Sequence, residues 1–206
     1  NSRRLWDFGI KGQGQVIGLS DTGIRTTHYQ FFDSAVPINN FGDYPAHRKI
    51  IGYKKAVETT GIIFGDAAAQ SYHGTHTSCT TAGDDTPNGA SLKDGMAMNA
   101  KIFFLDCGGP TGLFLPLDLN DLFILPYNGN TGGAARIMSN SWQALPIDGG
   151  AYDTQSMAAD QFMWNHPDFL LFFSNGNDGT PGSVGSPATA KNVVSAGGTG
   201  DGAGAN

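Results

Sequence analysis

A largely parallel β-sheet with helices on both faces is the fold this sequence predicts, and three observations predict it. Short apolar runs alternate with helix-length segments along the chain. Those runs are continuous rather than period-two, which is how strands covered on both faces read. Each helical segment is also followed within a few residues by Gly or Pro, the usual stop signals. The strand candidates are residues 16–20, 101–105, 135–139, 169–174 and 192–196; the helix candidates are 73–82, about 117–125 and 152–165. Such alternation builds a doubly wound α/β sheet, because each crossover between parallel strands lays a helix on one face. No internal repeat and no linker divides the chain, so residues 1–206 read as one domain.

Composition narrows the function. The 206 residues include 30 Gly, about twice the usual share, and only 15% charged residues. With 39% apolar residues the chain is a compact, loop-rich globule rather than a disordered one. The formal net charge is −6, and basic residues adjoin only in pairs such as Arg3-Arg4 and Lys54-Lys55, never in a longer block, which argues against nucleic acid as a partner. No apolar run approaches the ~18 residues that a membrane span needs; residues 113–127 come nearest and are broken by Pro116, Asp118, Asn120, Asp121 and Pro126. Cys79 and Cys107 are too few for a disulfide framework or a four-cysteine zinc site, and both are expected to be free. The start at Asn1 and the Gly-Asp-Gly-Ala-Gly-Ala-Asn end read as cuts within a longer chain.

On an open parallel sheet, functional groups gather beyond the carboxyl ends of the strands. Asp21 directly follows the first strand, where an acid is partly shielded and suited to orienting a histidine; it could equally cap a turn before Gly23. His73 opens His73-Gly74-Thr75-His76, and the positive end of a helix there should keep the imidazole neutral and basic. The same residues read alternatively as a capping segment, or as a metal pair with His76, although no third ligand is in sight. Asn177 follows the strand at 169–174 and could donate to a developing oxyanion, or simply sit in a polar turn. Ser139-Asn140-Ser141-Trp142 ends another strand whose edge could pair with a peptide, with a core role for Trp142 as the alternative.

Together and in this order, Asp21, His73, Ser139-Asn140-Ser141-Trp142 and Asn177 resemble the subtilisin-like serine proteases (subtilases) over about residues 12–198. Gly12-Gln13-Gly14-Gln15, Asn140-Ser141-Trp142 and Ser186-Pro187-Ala188-Thr189-Ala190-Lys191-Asn192 are most similar to the alkaline, oxidatively stable branch with a C-terminal β-sandwich. The resemblance implies a subtilisin-like fold lacking its C-terminal part, polypeptide substrates and an Asp–His–Ser triad. Asp21 would orient, His73 would act as base and then acid, and Asn177 would give the side-chain half of the oxyanion hole. Ser141, Trp142 and Gln143 would line one wall of the primary specificity pocket, and Ser174, Asn175 and Gly176 the other. Residues 108–112, with Gly108 and Gly109, would flank the substrate's other edge. The resemblance also implies secretion, a propeptide and structural calcium, though no segment has a readable calcium-loop spacing and no ligands are assigned. No cofactor is expected for catalysis.

The family's Gly-Thr-Ser-Met-Ala nucleophile segment does not occur, nor does Gly-x-Ser-x-Gly. The serine is therefore expected beyond residue 206, in a parent chain that cleaves peptides while these 206 residues alone do not. Gln143 stands where the family has Gly, Asn175 where it has a small residue, and Ser78-Cys79 where it has Ala-Gly, which leaves specificity open. The rivals are a pseudoprotease that binds peptides or partners without cutting, a metal hydrolase using His73 and His76, and a nucleotide site at Gly12-Gln13-Gly14. The last precedes the first strand instead of following it.

Overall fold

Seven strands form one sheet in the order β2-β3-β4-β1-β7-β8-β9, in which every neighbouring pair is parallel except β2 with β3. The computed structural model describes residues 4–85, 89–144 and 149–198. Along the chain these hold α1 (Arg4–Asp7), β1 (Val16–Asp21), β2 (Gly42–Asp43), β3 (Ile50–Lys55), a 3₁₀ turn (Ala68–Gln70) and α2 (His73–Ala82). Then come β4 (Lys101–Asp106), the small hairpin β5 (Gly108–Gly109) and β6 (Gly112–Leu113), α3 (Leu119–Asn128) and β7 (Ile137–Asn140). α4 (Thr154–Asn165), β8 (Leu170–Ser174) and β9 (Val194–Ala196) complete the set. The α/β fold read from the sequence is the fold observed.

From β1 the chain crosses to the edge strand β2, returns inward through β3 and β4, then passes β1 and moves outward through β7, β8 and β9. The connections that leave the neighbours β1 and β7 therefore depart toward opposite edges, and such a switch point is where these sheets open a crevice. Alternate residues of one strand feed opposite cores. Phe103 and Leu105 point to the layer that holds Leu122, Phe123, Ala159 and Phe162 of α3 and α4. Ile102 and Phe104 point to the other, with Ile17, Leu19, Ile24, Phe31, Tyr53 and Ala82 at the end of α2. Continuous apolar runs are thus the consequence of two covered faces.

Element edges moved where hydrogen bonds were decided locally. The strand expected from 135 starts at Ile137, because the Ala135 N–H donates to the carbonyl of Pro126 at 2.8 Å and holds that residue to α3. α3 begins after Asp118, whose carboxylate accepts from Asn120 N–H, and leaves Leu117 outside the helix and exposed. Asp153 caps α4 in the same way through Gln155 and Ser156 N–H groups. β3, absent from the sequence reading, begins where the buried Nδ1 of His47 accepts from the N–H groups of Lys49 and Ile50. Both cysteines are free, Cys107 fully buried and Cys79 partly exposed.

Phe162 ties α4 to α3 through edge-on contacts with Phe123 and Tyr127, at 5.5 and 6.0 Å between ring centres. A Phe162→Ala change should destabilise the domain by about 3–5 kcal/mol, read as a lowered denaturant midpoint with unchanged slope. A midpoint within error of the parent's would show that these ring contacts do not hold the two helices together.

Candidate active site

Asp21 is the last residue of β1, in register with Asp106 of β4, and only 3% exposed. A charge so deep costs several kcal/mol unless it is fully hydrogen-bonded. Three donors meet it. The Thr22 N–H donates to Oδ1 at 2.7 Å, the Thr77 hydroxyl donates to Oδ2 at 3.1 Å, and Nδ1 of His73 lies 2.7 Å from Oδ1. With the carboxylate as acceptor, the His73 proton belongs on Nδ1, which leaves Nε2 free to accept. His73 is the first residue of α2, its side chain 47% exposed, and Nε2 makes no hydrogen bond among the described residues. A buried, satisfied carboxylate that holds a half-exposed imidazole by one nitrogen leaves the other nitrogen able to accept a proton.

The hydrogen bond from Asp21 raises the His73 pKa above the ordinary histidine value, burial opposes it, and the Asp21 and Asp66 charges add to the rise. The helix end, expected to favour the neutral ring, is thus opposed by the carboxylate beside it. A helix terminus contributes some 0.3–1 kcal/mol, less than a charge-assisted hydrogen bond.

Local backbone explains why α2 starts so abruptly. Ser71 and Tyr72 sit at φ 57 and 52, left-handed angles that non-glycine residues rarely adopt, and no side chain of Tyr72 caps the helix. Distant groups cap it instead. The Thr22 hydroxyl accepts from Gly74 N–H at 2.8 Å, and Asp66 accepts from Thr75 N–H at 2.8 Å and Thr75 hydroxyl at 2.7 Å. Position 74 must be Gly, because a Cβ there would collide with the carbonyl oxygen of Gly23. The sequence reading missed Thr22, Asp66, Thr75 and Thr77. Only their closeness to Asp21 and His73 along the chain signalled them.

The remaining candidates lie at the same carboxyl edge. Ser141, Trp142 and Gln143 directly follow β7. The Trp142 indole is buried, edge-on to Phe173 at 5.3 Å, and donates to Ser20 Oγ at 2.9 Å. Ser20 in turn donates to Asn140 Oδ1 at 2.6 Å, so this ring is core that locks the ends of β1 and β7 together. Gln143 and Ala144 face Gly112, Leu113 and Leu115 across a cavity of about 660 Å³. Among the described residues the buried Gln143 Oε1 atom has no hydrogen-bond partner, and it lies 2.6 Å from where a Cβ on Gly185 would stand. Ser174 ends β8 half-buried, and Gly176 turns the chain at φ 95. Asn175 is engaged with β9: its N–H donates to Ala196 O at 2.9 Å and its carboxamide oxygen accepts from Ser195. Asn177 is exposed just beyond. Gly108 and Gly109 form β5, buried, where a Cβ on Gly108 would strike the carbonyl of Thr22.

Among the described residues no group of three or more His, Cys, Asp or Glu could hold a metal, so the His73–His76 pair finds no third ligand there. Nor does any described helix have the length and apolarity to cross a membrane.

The subtilase family profile matches residues 12–205. Among curated proteins, the serine protease/ABC transporter B family protein tagD of Dictyostelium discoideum is 32% identical over 204 residues, covering 96% of this chain and 11% of that protein. Its relative tagA from the same organism is 34% identical over 182 residues, covering 86% and 9%. The chain thus spans about a tenth of the length of these relatives. Among solved structures, fervidolysin from Fervidobacterium pennivorans, a keratinolytic enzyme related to subtilisin, superposes with TM-score 0.61 at 22% identity, over 95% of this chain and 26% of that one. A protease of Pseudoalteromonas arctica gives TM-score 0.63 at 22% identity, over 92% and 57%.

With its folded pKa raised, His73 contributes stability that is complete below the unfolded histidine value and fades as pH rises through the folded one. Asp21→Asn should lower the His73 pKa, followed by imidazole NMR, and remove that part of the pH dependence. An unmoved titration would mean that Asp21 does not govern the ring.

Proposed function

Because the chain belongs to the subtilase family, we propose that it carries the Asp–His part of a serine endopeptidase and much of the groove that holds the polypeptide. The observation that supports this most is the 2.7 Å pair of Asp21 and His73 at the switch point of the sheet. His73 Nε2 takes the proton of a serine hydroxyl as that oxygen attacks the scissile carbonyl. Asp21 stays ionised and stabilises the imidazolium, which then protonates the leaving amine. Asn177 donates its amide N–H to the developing oxyanion. An extended peptide lies between residues 108–112 and 141–143, with its primary side chain between 141–143 and 174–176.

The attacking serine is assigned to a segment outside these 206 residues. The sequence holds no Gly-Thr-Ser-Met-Ala, and no described serine hydrogen-bonds to His73. The 206-residue chain by itself is accordingly expected not to turn over peptide. The same family reading extends to an extracellular setting, with structural calcium in loops whose ligands are unassigned.

In a form of the protein that carries the serine, His73→Ala should lower kcat by several orders of magnitude with the fold intact. A near-normal rate would remove His73 from the chemistry. Asn177→Ala should lower kcat by about 10²–10³ with little change in KM. A loss confined to KM would instead make Asn177 a substrate contact.

A further inference from the structure

A second carboxylate, Asp66, reaches both halves of the Asp21–His73 pair. Asp66 Oδ1 accepts from the Thr22 hydroxyl at 2.9 Å, and Thr22 is the residue after Asp21. Asp66 Oδ2 accepts from the N–H and hydroxyl of Thr75, two residues after His73, at 2.8 and 2.7 Å. The two threonines carry the linkage onward. Thr22 Oγ1 accepts from Gly74 N–H, and Thr75 Oγ1 accepts from Arg25 N–H at 2.9 Å. One carboxylate therefore fixes the turn after β1 and the first turn of α2 to the same point.

The loop that presents Asp66 is itself pinned. Gly65 N–H donates to the buried hydroxyl of Tyr53 at 3.1 Å, and Ile24 N–H donates to the same oxygen at 3.1 Å. That hydroxyl donates in turn to Asp106, on the strand beside Asp21. Ile63 N–H donates to the carbonyl of Gly108, so the β5 edge is tied into the same loop. A flexible surface acid would not be held by this many backbone groups.

We propose that Asp66 is a positioning residue of the active site: it sets the Asp21–His73 geometry through Thr22 and Thr75 and places a second negative charge behind the imidazolium. This rests on His73 acting as the base, but the test below does not need turnover. A plain helix cap would supply only the hydrogen bonds. The charged groups acting on His73 are Asp21, through its hydrogen bond and its charge, and Asp66, through its charge alone; both raise the ring's pKa, against burial. Asp66 is thus felt by the ring without touching it, and its effect must be the smaller of the two.

The experiment is an NMR titration of the His73 imidazole in this 206-residue chain, together with the downfield Nδ1 proton that marks its bond to Asp21. Asp66→Asn keeps an acceptor and removes the charge. The His73 pKa should fall, by less than in Asp21→Asn, and the Nδ1 proton should exchange faster. Asp66→Glu should restore part of both. A folded Asp66→Asn chain with unchanged pKa and unchanged proton would overturn the proposal and leave Asp66 as a cap. If Asp66→Asn does not fold, Thr22→Val deletes the hydroxyl link and keeps the charge. Faster exchange of the Nδ1 proton is then expected, and an unchanged proton overturns the geometric half. In a form that carries the serine, Asp66→Asn should lower kcat on the order of 10–100-fold at nearly constant KM. If turnover is absent even without substitution, the peptidase reading fails while the titration still decides the role of Asp66.

Discussion

The buried carboxylate of Asp21 is the constraint around which the rest is arranged. An ionised group at 3% exposure on the central strand is tolerable only while its donors stay in place. Those donors come from two stretches of chain: the turn after β1, and α2 at its first residue and again at Thr77 one helical turn further on. Satisfying Asp21 therefore fixes where α2 begins and how it lies on the sheet. The left-handed Ser71 and Tyr72, and the glycine required at 74, follow from that closeness. Local strain of this kind costs of order 1–3 kcal/mol per residue and persists where the surroundings over-determine it.

The sheet supplies the rigidity. Because β1 has β4 on one side and β7 on the other, the ends of all three strands are held by ladders and by two apolar layers. Polar links join the strand ends as well. Trp142, Ser20, Asn140 and the carbonyl of Phe172 form one continuous chain of hydrogen bonds across β1, β7 and β8. Tyr53 and Asp106 do the same on the other side, with burial pushing the Asp106 carboxyl up to about 7. Side chains mounted on such ends keep their geometry far better than side chains on free loops.

The sequence made the central strands legible because period and burial agree there: residues 16–20 and 101–105 are apolar on both faces. It made α2 legible from residue 73 because small residues from Gly74 to Ala82 pack closely. β3 was missed, although Ile50-Ile51-Gly52-Tyr53 is an apolar run, because that run is short, holds a Gly and ends at Lys54-Lys55. Asp21 and His73 stood out by their places after a strand and at a helix start. Asp66 did not, since an acid in Phe64-Gly65-Asp66-Ala67 carries no local pattern; its role exists only once three distant backbone segments meet. Trp142 showed the opposite limit. Its ring was a candidate for a pocket wall, and the structure spends it on the core.

The central claim is that these residues serve a nucleophile that they do not themselves contain. The most direct measurement is to treat the gene product containing this sequence with a fluorophosphonate probe and locate the label by peptide mass spectrometry. A single labelled serine outside residues 1–206, lost on prior denaturation, is the result predicted. A label on any serine within residues 1–206, or no labelled serine in the active protein, would contradict it.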